Sequence, residues 1–283
     1  MENKTILISG ATNGIGWITA RELARGGATT ILVGRNLERT RSAVNDIRQV
    51  TGNPNVDYLV ADLSSQKQIH TLAKTFQQRY NRLDVLVNNA GAIFNSFELS
   101  EDGIERTFAL NHLGYFLLTH LLLETLQQSQ PARIVNVSSM AHIGGRLNLN
   151  NLQLKGNFSS WGAYSQSKLA NLYFTYELAR RLEGSRVTVN ALHPGFVNTN
   201  FGKSNGGMKK VMMGALQSVF AITPEKGAET SIYLASSPEV EGVSGQYFVN
   251  NNAVRSSQIS YDQEIARQLW DASLEMTGLN VTV

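Results

Sequence analysis

Thr5-Ile6-Leu7-Ile8-Ser9-Gly10-Ala11-Thr12-Asn13-Gly14-Ile15-Gly16-Trp17 is the stretch that decides the fold. A short β-branched and apolar run enters a glycine-rich turn, and a helical pattern begins at once behind it. Such a turn brings backbone N–H groups close to a pyrophosphate at the positive N-terminus of a helix. Gly10, Gly14 and Gly16 allow the tight turn and the close approach, with Thr12, Asn13 and Ile15 between them. Three glycines alone would read equally well as a structural turn. The strand before and the helix after are the context that favours a dinucleotide site.

Outward from this turn, strand-like runs alternate with helical ones almost to the end of the chain. The strands are expected at Thr5–Ser9, Thr30–Val33, Val56–Val60, Val85–Asn88, Arg133–Ser138, Val187–Leu192 and Gln246–Val249. Several are continuously apolar, as in parallel strands covered on both faces. Helices are expected over Gly16–Arg25, Leu37–Val50, Ser65–Tyr80, Glu101–Gln128, Ala163–Glu183, Pro224–Ser236 and Glu264–Thr277. This alternation predicts an α/β fold, a single Rossmann-type doubly wound parallel sheet of about seven strands with helices on both faces. No Pro/Ser-rich linker or repeat divides the 283 residues, so one domain over 1–283 is expected. The segments Ala141–Gly162 and Gly202–Ile222 exceed what a connection needs, and loops of that length often serve as lids.

Composition excludes several functions. Hydrophobic residues make up 42% and charged residues 17%, which is ordinary for a folded soluble protein. The net charge is +3 with dispersed basic residues, so no nucleic-acid partner is expected. The absence of cysteine removes disulfides, thiolate catalysis and cysteine-ligated metal, and no metal site is expected. The N-terminus carries no signal-peptide pattern and no run is long enough to span a bilayer, so the expectation is a cytoplasmic protein.

The end of the second strand bears on which dinucleotide is held. NAD-binding units place an acid there to hold the ribose hydroxyls. This chain has Gly34-Arg35-Asn36 instead. The Arg35 fork suits a 2′-phosphate, with Arg39 one turn on as an assistant, so NADP(H) is expected in preference to NAD(H). A surface arginine beside a loop is the plain alternative.

Tyr164-Ser165-Gln166-Ser167-Lys168 bears on the chemistry. Residues four apart share a helix face, so the Tyr164 hydroxyl and Lys168 ammonium are expected to project together. A cation about 4 Å away favours phenolate by roughly 4 kcal/mol at an effective dielectric of 20. That is expected to lower the Tyr164 pKa by up to about three units, towards general acid/base work. Tyr and Lys at this spacing also occur by chance on surface helices. Ser138-Ser139 at the end of the fifth strand adds hydroxyls where parallel sheets bind ligands, although a serine-rich turn would look the same. Asn111 falls inside the long helical run, where an asparagine competes for backbone hydrogen bonds.

These motifs, in this order over about residues 5–250, resemble the short-chain dehydrogenase/reductase family. Ser9 stands where most members have Thr, which keeps the hydroxyl. The resemblance implies catalytic roles for Asn111, Ser139, Tyr164 and Lys168: Ser139 holds a carbonyl oxygen, Tyr164 protonates it, Lys168 tunes Tyr164 and binds the nicotinamide ribose, and Asn111 supports a proton relay. Ser138 is the alternative to Ser139. It further implies adenine contacts from Asp62-Leu63, for which a helix N-cap region is the plain reading. Asn89-Ala90-Gly91 is implied beside the adenosine half, and Pro194, Gly195, Val197 and Thr199 beside the nicotinamide. His193 reads as a packed or surface histidine. Tyr164 follows Ser139 by 25 positions, longer than the family's usual separation, and Ser138–His142 and Ser167–Asn171 have the look of the retinol dehydrogenase-like branch. That branch also takes in the oxidoreductase domain of the WW-domain oxidoreductase.

The branch implies a lipophilic carbonyl or alcohol as the small-molecule substrate, retinoid- or steroid-like. Animal retinol dehydrogenases of the branch commonly carry an N-terminal hydrophobic anchor, and none precedes Thr5 here, which points away from membrane-embedded retinoid. Met208–Phe220 is methionine-rich and apolar and sits where the family has a substrate lid, expected over about 202–222. Methionines adapt to irregular apolar ligands. The same segment would also suit packing on the domain, a partner subunit or a membrane surface. Family members often pair through their two long helices, so a homo-oligomer stays open. A second class of function is a catalytically silent dinucleotide-binding regulator or interaction protein, since fold alone licenses no activity. An epimerase or dehydratase of the superfamily would show a different glycine spacing and a longer C-terminal domain.

Overall fold

Ile6 and Ile8 face one side of the sheet and Leu7 the other, and all three are fully buried. Side chains alternate across a strand, so a run apolar at every position must be covered on both faces. The computed structural model describes residues 1–195 and 222–279 and shows that arrangement. The strands are β1 (Thr5–Ser9), β2 (Thr29–Gly34), β3 (Val56–Val60), β4 (Val85–Asn88), β5 (Ala132–Val137), β6 (Val187–His193), β7 (Tyr247–Val249) and β8 (Asn252–Val254). They form one sheet in the order β3-β2-β1-β4-β5-β6-β7-β8. Every neighbouring pair is parallel except β7 and β8.

Helices α1 (Gly14–Arg25) and α2 (Leu37–Thr51) cover one face, together with a later helix, Pro224–Ser236. On the other face lie α3 (Gln66–Arg79), α4 (Arg106–Phe108) with its continuation α5 (Gly114–Gln128), and α6 (Ser160–Arg181). Numbered in chain order, Pro224–Ser236 is α7 and Gln263–Thr277 is α8. Trp270 of α8 is buried against Phe116 and Phe174, with ring centroids 5.1 and 6.0 Å away.

The doubly wound sheet agrees with the sequence reading, and it carries one strand more than expected. β8 is three residues long, exposed and antiparallel, folded back through Asn250 and Asn251, both at positive φ. The helix expected over Glu101–Gln128 begins later and is not uniform. Glu105 accepts hydrogen bonds from the N–H groups of Thr107 and Phe108, both at 2.8 Å, and starts the helix there. Residues Ala109–Leu113 then form a π-helical turn between α4 and α5. The long 141–162 connection packs down as two short 3₁₀ turns, with Leu147, Leu149 and Leu152 against Ala266 and Leu269 of α8.

Strand order reverses between β1 and β4. The crevice outside the carboxyl ends of strands at such a switch point is where open α/β sheets bind ligands.

Candidate active site

The glycine-rich turn is fastened to the end of β4. Ser9 Oγ accepts from the N–H groups of Asn89 (2.9 Å) and Ala90 (3.0 Å), which explains why a hydroxyl is needed there. The Asn89 amide donates to the carbonyls of Ser9 (2.9 Å) and Gly10 (3.1 Å). Asn89 therefore braces the turn. Gly16 has no room for a side chain, because a Cβ would lie 2.4 Å from the Gly10 carbonyl oxygen. Thr12 packs against Gly34, so the turn abuts the end of β2.

The residues of this turn fit a pyrophosphate. Helices α2, α3, α6, α7 and α8 each begin with a side chain accepting from their first turn. Asn13, at the start of α1, makes no such bond, and the first turn carries no acid. The N–H groups of Gly14, Ile15 and Gly16 are thereby left to an anion. At the end of β2, Arg35 and Arg39 are exposed and pair with no acid among the described residues. Asp62 Oδ1 accepts from the Ser64 N–H (2.9 Å) and hydroxyl (2.7 Å), while the Leu63 side chain is buried in the core. Leu63 is thus left with only its backbone for a ligand.

At the ends of β4 and β5 the expected catalytic residues converge. Ser138 and Ser139 separate cleanly. Ser138 is buried and donates to the Lys168 carbonyl at 2.8 Å, a structural bond between β5 and α6. Ser139 Oγ accepts from the Ala141 N–H at 3.2 Å, and the same side chain is near enough to the Tyr164 phenol to draw its pKa down. Lys168 is buried one helical turn beyond Tyr164 and donates to the Val137 carbonyl at 2.9 Å. Its Nζ lies 5.7 Å from the ring centroids of both Tyr115 and Tyr164.

Asn111 sits in the π-helical turn, an irregularity often found at functional sites. Its Nδ2 donates to the Ala92 carbonyl (2.9 Å) and Ser167 Oγ (3.0 Å), and its Oδ1 accepts from the Ala92 N–H (2.9 Å). The carboxamide holds the 91–92 loop beside α6 and makes no hydrogen bond to Lys168. Gly91 lies next to both, since a Cβ there would be 3.4 Å from Asn111 Oδ1 and 3.5 Å from Lys168 Nζ. The relay implied by the resemblance therefore does not pass through a direct Asn111–Lys168 bond.

The electrostatics differ from the sequence expectation. Burial pushes the Tyr164 phenol up to about 12, against the opposing pull of the Ser139 hydrogen bond. Burial also brings the Lys168 ammonium down to about 7. Tyr164 is raised where it was expected to be lowered, because loss of water outweighs a cation that itself is only partly charged at neutral pH and points at Val137. Its phenol is therefore held in the acid form.

Pro194 and Gly195 follow β6, with Gly195 at φ +89. Val197, Thr199 and the expected lid at 202–222, apart from Ile222, lie outside the described residues. Of the two readings of His193, packed or surface, the structure gives the packed one, and its Nδ1 accepts from the Met140 N–H at 3.2 Å. Sequence reasoning overlooked Ser167 and Trp161. Trp161 is 59% exposed with its ring centroid 5.9 Å from that of Tyr164. Its position one turn before Tyr164 was the available signal.

Known proteins resemble the chain along nearly its whole length. The short chain dehydrogenase family pattern matches residues 4–210. Human retinol dehydrogenase 14 is 43% identical over 294 residues, covering 99% of this chain and 88% of that protein. Human polyprenol dehydrogenase is 41% identical over 288 residues, covering 99% and 87%. An uncharacterized protein of Mycobacterium paratuberculosis superposes with a TM-score of 0.81 at 34% identity, covering 100% of this chain and 96% of the other. A short chain dehydrogenase of Escherichia coli CFT073, solved with NADPH, gives a TM-score of 0.68 at 26% identity, covering 89% and 98%. With its braced glycine turn, Ser139 beside Tyr164 and this likeness along nearly its whole length, the chain belongs to the short-chain dehydrogenase/reductase family, in its retinol dehydrogenase-like branch.

Proposed function

We propose that this oxidoreductase is NADP(H)-dependent and interconverts the carbonyl and alcohol forms of a lipophilic small molecule. The observation that carries the reading is the juxtaposition of Ser139 and Tyr164 beside buried Lys168 at the carboxyl ends of the strands. The dinucleotide supplies a hydride to the carbonyl carbon, or takes one from the alcohol. In the reducing direction the Ser139 hydroxyl donates to the carbonyl oxygen and orients it. Tyr164, kept protonated by burial, gives its proton to that oxygen as the C–H bond forms. The phenolate left behind is stabilised by hydrogen bonding to Ser139 and by the charge of the nearby Lys168 ammonium, and takes its proton back from solvent. Gly14, Ile15 and Gly16 would hold the pyrophosphate by their N–H groups, Lys168 the nicotinamide ribose and Asp62 the adenine end. In this reading Ala90, Gly91, Pro194, Gly195, Val197 and Thr199 line the rest of the dinucleotide.

The preference for the phosphorylated dinucleotide is supported by the acid-free end of β2 with Arg35 and Arg39, and by the E. coli relative solved with NADPH. Lipophilicity is supported by exposed apolar side chains: Trp161 against Tyr164, and Met140 (42% exposed) and Ile143 (63% exposed) in the turn that follows Ser139. Relatives named for retinol and polyprenol point the same way. None of the described helices is long and apolar enough to cross a membrane. A silent regulatory protein is disfavoured by the intact catalytic set.

The test is oxidation of NADPH, with NADH in parallel, against short polar, long aliphatic and isoprenoid aldehydes and ketones. Turnover favouring NADPH and apolar carbonyls, lost in Tyr164→Phe, is expected. Tight NADPH binding with no turnover, or activity indifferent to Tyr164→Phe, would sink the reading. Exclusive turnover of polar substrates would sink its lipophilic part.

A further inference from the structure

Two histidines outside the catalytic set meet the same peptide bond. His142, three residues after Ser139, places Nδ1 2.7 Å from the Ser139 carbonyl oxygen. Its other nitrogen, Nε2, lies 3.1 Å from the backbone N–H of Ser257. A backbone N–H can only donate, so Nε2 accepts, and the ring proton is on Nδ1, where it donates to Ser139. His193, the last residue of β6, shows the converse. Its Nδ1 faces the N–H groups of Met140 (3.2 Å) and Gly195 (3.4 Å), so Nδ1 accepts and the proton is on Nε2.

We propose that His142 and His193 are positioning residues that grip the Ser139–Met140 peptide from both sides and so aim the Ser139 hydroxyl at Tyr164. The proposal rests on the reading of Ser139 and Tyr164 as the reacting pair. Each imidazole presents the polarity its half of the peptide needs, a donor against the carbonyl and an acceptor against the N–H. Histidines that only filled space would need no fixed tautomer.

The surroundings hold both rings in place. Val137 pairs with Leu192 in the sheet, which sets His193 beside the exit of β5. The His142 ring lies edge-on to Tyr247 of β7, with centroids 5.2 Å apart. Ser138, the residue before, is fixed by its N–H to the Leu192 carbonyl (2.8 Å) and by its hydroxyl to Lys168. The Ser139 backbone is consequently held by β6, α6 and the two rings, and its Oγ is steadied by the Ala141 N–H at 3.2 Å beside Tyr164. Burial keeps both imidazoles neutral, as the accepting nitrogens require.

Two measurements test this. Long-range ¹⁵N–¹H NMR of the wild-type protein near pH 7 reads the tautomers directly. The Nδ1–H form for His142 and the Nε2–H form for His193 are expected. The opposite tautomers, or a charged ring, would overturn the proposal whatever the protein's activity. In kinetics, His193→Ala is expected to lower kcat for carbonyl reduction by about 100-fold, the order of effect of a small misplacement at a reacting centre. NADPH affinity should fall by much less than kcat, because the pyrophosphate turn is untouched and only the Gly195 N–H loses its acceptor there. His193→Asn, whose amide oxygen can accept from Met140, should recover most of kcat. Equal loss of kcat and NADPH binding, or no gain from Asn over Ala, would mean that His193 only stabilises the fold. If the wild-type protein reduces no carbonyl, the reacting-pair reading fails, while the tautomers still decide whether the grip exists.

Discussion

Replacing Lys168 with Met removes a buried charge, keeps a flexible apolar stem and should stabilise the protein while ending its activity. Lys168 is 3% exposed, and burial brings its ammonium from 10.5 down to about 7. Holding that group charged inside the protein costs about 4 to 5 kcal/mol, since one pK unit corresponds to about 1.4 kcal/mol. A depressed folded-state pKa means that the unfolded chain binds the extra proton between the two values. Stability therefore rises with pH from about 7 towards 10.5, and the full penalty applies below about 7. At pH 7 the Met variant is relieved of about 4 kcal/mol. It forfeits about 1 kcal/mol for the hydrogen bond to Val137, which leaves it about 3 kcal/mol more stable. Between pH 7 and 9 the wild-type protein should close about 2 kcal/mol of that gap. Urea unfolding at pH 7, 8 and 9 without dinucleotide, followed by tryptophan fluorescence, measures both quantities. A variant less stable than wild type at pH 7, or a gap that does not change with pH, would refute the argument that Lys168 is a desolvated, near-neutral group.

Other outcomes follow from the same geometry. Arg35→Ala should weaken NADPH binding by about 10- to 100-fold, the loss of one charge-assisted contact, and leave NADH nearly unchanged; equilibrium titration of both dinucleotides checks it. The two adjacent serines should part company: Ser138→Ala loses about 1 kcal/mol of stability with its bond to the Lys168 carbonyl. Ser139→Ala should lose no more stability than that, with its 3.2 Å bond from the Ala141 N–H, and about 100-fold in kcat, as when one transition-state donor is removed. In Gly16→Ala the new methyl collides with the Gly10 carbonyl and the Asn89 amide, so dinucleotide binding should fall below detection in a titration of the folded variant.

The sheet was legible because β1, β2 and β4 to β6 are largely buried runs bounded by turns, and burial on both faces leaves stretches that are mainly apolar and β-branched in the sequence. β8 was not, because Asn252-Ala253-Val254 is short and exposed and buries nothing. The preceding Asn250-Asn251 pair, a dipeptide that tolerates positive φ, was the one hint of a hairpin. Helical periodicity ran through Glu101–Gln128 without showing that Glu105 caps a later start or that the turn around Asn111 is π-helical, since neither alters the apolar pattern. At the site, spacing marked Tyr164 and Lys168 as sharing a helix face, and the family resemblance chose Ser139 with Ser138 as the alternative. Only the partners of the two hydroxyls, Lys168 for one and Tyr164 for the other, separated them. The direction of the Tyr164 shift was out of reach because spacing along a helix reports proximity, whereas burial depends on everything packed around the pair. The same holds for His142 and His193. They are 51 positions apart in sequence and meet at one peptide because β5 and β6 are neighbours.

Transfer of a labelled hydride tests the central claim most directly. NADPH carrying deuterium at the transferable C4 position is incubated with a long-chain aldehyde and the enzyme, and the alcohol is analysed by mass spectrometry. Deuterium on the former carbonyl carbon with wild-type protein, and no alcohol with Tyr164→Phe, is the predicted result. Bound NADPH with no labelled alcohol from any carbonyl, or labelled product from the Phe variant at the wild-type rate, would contradict the account.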